Sequence, residues 1–426
     1  MSIDPQFRQH RYVFARHGRS QPWWLRQRQL RRQLQPEPAS GTTVMSLEQI
    51  TASENLLRVH RRLKATGGPA AGIDGITYDD ICTTEVADAL RHASRAIQQR
   101  RYRPHPVRVQ RVPKARGGYR ELRIATVIDR TIAAALTDAV TPLLDPQWLD
   151  SSYGFRLGRS TLMMLADMEQ TMIRQGRWVL LPLDIRQAFD NVLIDGLLPI
   201  LPEYIADEQL LNLIDVIVRG DEGRSHTLGL DQGSPLSPIL LNLWLHHGLD
   251  LPYSADPANP PQYRYADDLT YLCCSVPDGR QAIRRVKELL APTGLQLRDM
   301  DVQPTNLRRQ GARAQVLGFL VSQQDGRLVL GIGPDAWAGL RQGLTEAYEA
   351  QHPTETAQAV ISGWLAAYGM AVESEDVTGV VDGILQTAAQ LGHRELTSRP
   401  ELETAILEAQ VRWLRIRERA LETATC

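Results

Sequence analysis

The tightest constraint on the fold is a pair of apolar stretches that each meet acid at one end. Val179-Leu180-Leu181-Pro182-Leu183 is a continuous apolar run closed by Asp184. Tyr263–Ala266 and Leu269–Cys273 flank Asp267-Asp268, which reads as strand, tight turn, strand. Short apolar runs bounded by turn signals are buried strands. Pro182 is an awkward residue for a central one, because it has no N–H to give to a ladder. Adjacent carboxylates on a tight turn repel each other. They make sense around a divalent cation shared with a third acid, and Asp184 is the obvious third. Hard oxygen ligands select magnesium, with manganese as the alternative. A lone Asp-Asp pair is most often a solvated loop, so the surroundings decide.

Those surroundings belong to a chain of 426 residues with an ordinary globular composition, 43% apolar and 23% charged. No run of apolar residues is long enough for a membrane span. Four scattered cysteines have no zinc-ligand spacing, which makes a reducing cytoplasm the expected location. The net charge of −1 hides an asymmetry. Residues 1–130 hold 24 Lys+Arg against 11 acids, and the remainder holds 24 against 38. A basic N-terminal third suits a polyanionic partner, most commonly nucleic acid.

Residues 1–45 form a basic extension in which Trp23 and Trp24 sit among arginines. Its two readings are an RNA-binding arm with stacking platforms and a basic helix whose tryptophans dock on the body. A helical period runs from Ser46 to Thr66. The most basic segment is 101–130, with nine Lys+Arg against two acids. Within it Val107–Pro113 and Tyr119–Ile124 alternate like a hairpin around Lys114-Ala115-Arg116-Gly117-Gly118, and a helix follows over Val127–Leu144. Ser237-Pro238 opens a helix through Leu245, with serine as N-cap. Val316–Ser322 and Arg327–Leu330 flank a Gln-Asp-Gly turn. From Pro334 the pattern is helical and acidic to the end. His246-His247 face different sides of a helix, which argues against a shared metal, and Trp364 with Tyr368 reads as helix core.

Taken in order, these segments resemble reverse transcriptases. Tyr265-Ala266-Asp267-Asp268 resembles the family's catalytic box, and Asp184-Ile185 to Phe189-Asp190 its first aspartate box. Gln232-Gly233-Ser234-Pro235-Leu236-Ser237-Pro238 is similar to the nucleotide-contacting turn. Arg111-Val112-Pro113-Lys114 to Arg120 and Thr126–Arg130 resemble the fingers, and Ser152–Arg156 with Gly158-Arg159-Ser160 the next block. Leu317-Gly318-Phe319 resembles a primer-grip hairpin, and Gly363-Trp364 with Tyr368 a thumb helix. The group II intron-like bacterial branch fits best. The retron branch fits less well, since its Val-Thr-Gly box is missing.

The resemblance implies an α+β right-hand polymerase with an antiparallel palm sheet, mixed fingers and a helical thumb. Fingers are expected over 46–178, the palm over 179–333, and thumb and tail over 334–426. It implies an RNA-directed DNA polymerase in which magnesium is held by Asp184, Asp267, Asp268 and the carbonyl of Ile185. Lys114, Arg120, Phe189 and Gln232 are expected to meet the nucleotide, with Phe189 excluding a 2′-hydroxyl. Arg111, Arg116, Arg156, Arg159, Gly318 and Phe319 are expected to meet nucleic acid. Expected partners are an RNA template, a DNA or RNA primer, dNTPs, a noncoding RNA and a second copy of the chain, with no membrane. The expected role is a host one, first antiphage defence, then CRISPR-associated acquisition, then intron maturation. One departure stands out. After Gly294-Leu295-Gln296-Leu297 the family carries Lys-Thr, and Asp299-Met300-Asp301-Val302 stands here instead. It favours a competing reading, an RNA chaperone with a vestigial polymerase site. Untemplated or protein-primed synthesis is a third.

Overall fold

Alternation along one strand organises the molecule. The structure is a computed structural model that describes residues 45–425, apart from 67, 69, 114–118, 299–300, 351, 374 and 394–396. The first hairpin pairs β1 (Arg108–Pro113) with β2 (Tyr119–Ile124). The central sheet contains β3 (Val179–Asp184), β4 (Gln262–Tyr265), β5 (Asp268–Cys273) and β6 (Thr305–Asn306) in the antiparallel order β4-β5-β3-β6. Successive side chains of a strand point to opposite faces. Accordingly Val179, Leu181 and Leu183 enter one core with Leu269, Tyr271 and Cys273. Leu180 and Leu272 enter a second core on the other face.

The first core is covered by helices from residues 47–144 and by the helices Ser237–Leu245 and Val276–Leu290. Ser237–Leu245 is apolar all round and buried all round, which suits a helix in the middle of a large core. The second core joins the helix Thr161–Gln175 to a three-stranded sheet, β7 (Ala314–Val316), β8 (Phe319–Gln324) and β9 (Arg327–Ile332), and to the C-terminal helix Arg399–Thr425. A third core is purely helical, among Pro334–Tyr348, Pro353–Tyr368, Val377–Gln390 and the C-terminal helix. The expected α+β layout, with an antiparallel central sheet and a helical C-terminal part, is the observed one. Among the described residues, no helix is long and apolar enough to cross a membrane.

Several sequence expectations match to the residue. Val127–Leu144 and Ser237–Leu245 are helices with those bounds, although Ser237 is the first helical residue and Leu236 the cap. Others shift. The helix after Ser46 breaks at Ala52 into Leu47–Thr51 and Ser53–Thr66. Strand pairing around 316 breaks at Leu317-Gly318, both at positive φ (50° and 88°), so β7 and β8 are separate strands. Pro182 is tolerated for a visible reason. Trp178 accepts from Leu307 N–H (2.9 Å) and Asp184 accepts from Arg298 N–H (2.8 Å), so the even residues face that side. Between these two bonds residues 301–304 carry no strand, so the missing N–H of Pro182 leaves no ladder bond unmade.

The C-terminal helix is fastened through a buried carboxylate. Glu169, fully buried, accepts from Leu328 N–H (3.1 Å) and from Arg417 Nε (2.7 Å). Removing one partner of such a pair leaves an uncompensated charge in the core. Arg417→Ala is expected to lower the unfolding free energy by about 3 kcal/mol in urea denaturation. Replacing both partners together (Glu169→Gln with Arg417→Met) is expected to cost clearly less.

Candidate active site

Register brings the acids together. Asp184, the last residue of β3, lies directly opposite Asp268, the first residue of β5. Asp267 sits in the turn between β4 and β5, where Ala266 has a φ of +58°. The turn is tied to β3 by Ile185 N–H, which donates to the Asp267 carbonyl (3.1 Å). The Ile185 side chain is fully buried, so its backbone is fixed from below. All three carboxylate residues are half-buried at one end of the sheet.

Like charges directly opposite each other in a sheet destabilise it unless a cation intervenes. One cation is present, and sequence reading missed it. Arg298 Nε lies 3.2 Å from Asp184 Oδ1, while Arg298 N–H donates to the Asp184 carbonyl (2.8 Å). Its only sequence signal is its place just before the stretch where the family's lysine is absent. Among the described residues, no three His, Cys, Asp or Glu side chains meet round one point. The donor set nonetheless fits a hard divalent ion, being all oxygen and anionic. The side chain of Asp184 already takes a positive charge on the face it shares with Asp268.

The remaining candidates divide. Phe189 is half-buried five residues beyond Asp184, with the Phe155 ring edge-on at 6.2 Å. Phe155 is itself exposed and at positive φ (59°), a strained position for a bulky residue. Gln232 donates to Asp190 Oδ1 (2.7 Å), and its carbonyl accepts from Arg123 N–H (2.8 Å), so the turn is docked on both the β3 end and the fingers hairpin. Asp190 thus holds the Gln232 side chain in place. Asp231 beside it is held by Arg123 (3.3 Å); burial pushes its carboxyl above the usual value, and the guanidinium opposes that. Arg111 and Arg120 lie exposed on β1 and β2, Arg111 bonded to Glu121 (2.9 Å). Lys114 and Arg116, like the arm at 1–44, lie outside the described residues.

Two expectations are corrected. Arg156 does not face nucleic acid: its side chain is buried and donates to Asp145 Oδ1 (2.8 Å) and to the carbonyls of Leu149 (2.8 Å) and Ser152 (2.9 Å). Phe319 is likewise core, buried with its ring 5.1 Å from Tyr368. Only the backbone of the Gly318-Phe319 turn is left for any contact. Gly318 suits that turn, because side chains rarely adopt its φ of +88° and a Cβ would lie 2.6 Å from the Tyr368 hydroxyl. Arg159 is intermediate, paired with Asp150 (2.6 Å) and stacked 5.3 Å over the Tyr153 ring. The adjacent histidines His246 and His247 are fully buried in a turn of π-helix, with His247 bonded to Tyr204 (2.7 Å). Trp364 is helix core, its indole N–H given to the Ala336 carbonyl (2.8 Å).

Comparison with known proteins agrees with this geometry. Residues 112–319 match the model of the family described as reverse transcriptase (RNA-dependent DNA polymerase). That segment is similar to reverse transcriptases, and its relatives include group II intron-encoded proteins. The chain is 29% identical over 213 residues to protein YkfC of Escherichia coli, covering 47% of this chain and 55% of that protein. It is 27% identical over 200 residues to the group II intron-encoded protein LtrA of Lactococcus lactis, 44% of this chain and 33% of that one. A putative intron protein of Saccharomyces cerevisiae is 26% identical over 160 residues, 36% of this chain and 19% of that one. The matched relatives are thus mostly much longer than their shared part. Among solved structures, telomerase from Candida albicans with a fragment of telomeric RNA aligns at a TM-score of 0.42 and 11% identity, over 74% of this chain and 63% of that chain.

The catalytic turn leans on one glycine. A Cβ on Gly154 would lie 2.2 Å from the backbone nitrogen of Ala266. Gly154→Ala is therefore expected to push the turn away, lowering stability by about 2 kcal/mol in thermal or urea unfolding. Any polymerase activity should fall further than that loss of folded protein explains.

Proposed function

We propose that this chain is an RNA-directed DNA polymerase that extends a primer 3′-hydroxyl with dNTPs on an RNA template. The observation that carries the proposal is the opposition of Asp184 and Asp268 in register, with Asp267 on the turn that joins β4 to β5. A pair of magnesium ions bound there would activate the 3′-hydroxyl and neutralise the departing pyrophosphate. Asp184 and Asp267 are the principal holders of metal, and Asp268 supports them from across the sheet. Asp190 and the fingers hairpin orient Gln232 toward an incoming nucleotide. Phe189 closes the floor beside the sugar, with Phe155 at its edge. Arg298 keeps the charge on Asp184 balanced while the nucleotide is away. The protein's share is then positioning and charge stabilisation rather than covalent chemistry.

The basic fingers suit a template backbone, in keeping with the charge excess of residues 1–130. The acidic C-terminal part, 14 acids against seven arginines after residue 330, suits a small dedicated RNA better than a large intron. A host role in antiphage defence with a noncoding RNA fits that balance. CRISPR-associated acquisition and intron maturation are the alternatives that its gene neighbourhood discriminates.

Two experiments test the reading. Protein purified with its bound RNA is expected to incorporate labelled dNTPs in magnesium, and Asp267→Asn with Asp268→Asn to abolish the DNA product. No product on either the bound RNA or a generic primed RNA overturns the polymerase reading in favour of the RNA chaperone. Phe189→Ala is expected to raise incorporation of ribonucleotides relative to deoxynucleotides by at least about tenfold, read from competing rNTP and dNTP in single-nucleotide extension.

A further inference from the structure

Behind the catalytic turn lies an arginine that sees no solvent at all. Arg264, on β4, is 0% exposed, and so is Asn242, while Asp250 is 2% exposed. Arg264 Nε donates to Asp250 Oδ1 (3.0 Å) and Oδ2 (3.0 Å), and Nη2 donates to Oδ2 (2.6 Å). Gln262 Nε2 steadies the same carboxylate (2.6 Å). The remaining end of the guanidinium points at the active site: Nη1 donates to Asn242 Oδ1 (2.7 Å) and to the Ala266 carbonyl (3.2 Å). Asn242 passes the link on by donating to the Gly154 carbonyl (2.8 Å), and Gly154 is the residue packed on Ala266.

A buried ion pair is weak ground for stability, because desolvation consumes most of the attraction. Its geometry says more than its presence. The bidentate end is anchored in the π-helical turn His246–Asp250, and Asn242 belongs to the preceding helix. The free end grips the peptide Ala266–Asp267, whose preceding residue holds a positive φ. Such backbone strain persists only where the surroundings over-determine it. The backbone of Arg264 is pinned on both sides as well, its N–H to Ser151 (2.8 Å) and its carbonyl to Tyr153 N–H (2.8 Å). Lysine has no planar fork and cannot serve Asp250, Asn242 and Ala266 at once.

We infer that Arg264, with Asp250 and Asn242, is a positioning device that sets where Asp267 presents its carboxylate. The inference rests on the reading of Asp267 as a metal holder, so its test reads metal binding directly. Manganese titration of the full chain, followed by water proton relaxation, gives a binding constant for the wild type, Asp267→Asn, Arg264→Lys and Asn242→Ala. Arg264→Lys is expected to weaken manganese binding about tenfold and to lower kcat in step, leaving the KM for dNTP and the affinity for primed RNA unchanged. A merely structural arginine would shift the melting temperature and leave metal affinity alone. That result in a folded Arg264→Lys protein overturns the inference, as does wild-type binding indifferent to Asp267→Asn. Should Arg264→Lys fail to melt cooperatively, Asn242→Ala, which keeps the Arg264–Asp250 pair, decides by the same readout. A wild type that binds manganese through Asp267 but makes no DNA sinks the polymerase reading and leaves this inference standing.

Discussion

Two carboxylate residues opposed in register at one end of a sheet, with a third on the adjoining turn, are the constraint that the rest of the structure serves. Two unit charges about 5 Å apart, the spacing of directly opposed residues, repel by about 3 kcal/mol near a protein surface. Nothing about folding favours placing Asp268 opposite Asp184, and the arrangement survives because much else is built to hold it. The sheet under the acids is apolar on both faces, with separate cores above and below. The turn is fixed from β3 by Ile185, from the loop at Gly154 by close packing, and from beneath by Arg264. Local strain at Ala266 is thus carried by a rigid surround, as expected where a protein keeps a site that opposes its own stability.

The two-sided sheet also divides the labour of the molecule. One core connects the sheet to the helices that precede it in the chain, and the Gln232 turn is bonded to β2 through Arg123 N–H. The other core connects it to the β7–β9 sheet and the C-terminal helix, through Phe319, Trp413 and the buried Glu169. A strand with a single polar face could not have bridged two such units. The continuous apolar run before Asp184 is the sequence mark of that demand.

Much of this was legible because it follows from period and turn chemistry. The strand before Asp184, the hairpin around Asp267 and the helices Val127–Leu144 and Ser237–Leu245 depend on nearest neighbours in sequence. What escaped depends on contacts between distant segments. Arg156 and Phe319 sit in motifs of a nucleic-acid enzyme, yet Asp145 and Tyr368 draw them inward, and those partners lie 11 and 49 residues away in sequence. Arg264 was passed over beside the acids it supports, since an arginine in a strand reads as solvent-facing until Asp250 is seen below it. Leu317-Gly318 interrupt a strand pattern with two positive φ values, and Tyr368, on a helix far along the chain, lies where a side chain on Gly318 would go.

Arg298 shows how a departure from a family pattern can be partly compensated in space. The lysine absent after Leu297 would carry two properties, a positive charge near the leaving pyrophosphate and a proton to give it. Arg298 supplies a positive charge beside the acids, standing 3.2 Å from Asp184 in a segment whose backbone is bonded to β3. It does not restore the second, for a guanidinium offers many N–H donors but keeps its protons. On the proposed reading, charge neutralisation and proton donation are separated in this site, and the step such a separation would touch is the departure of pyrophosphate.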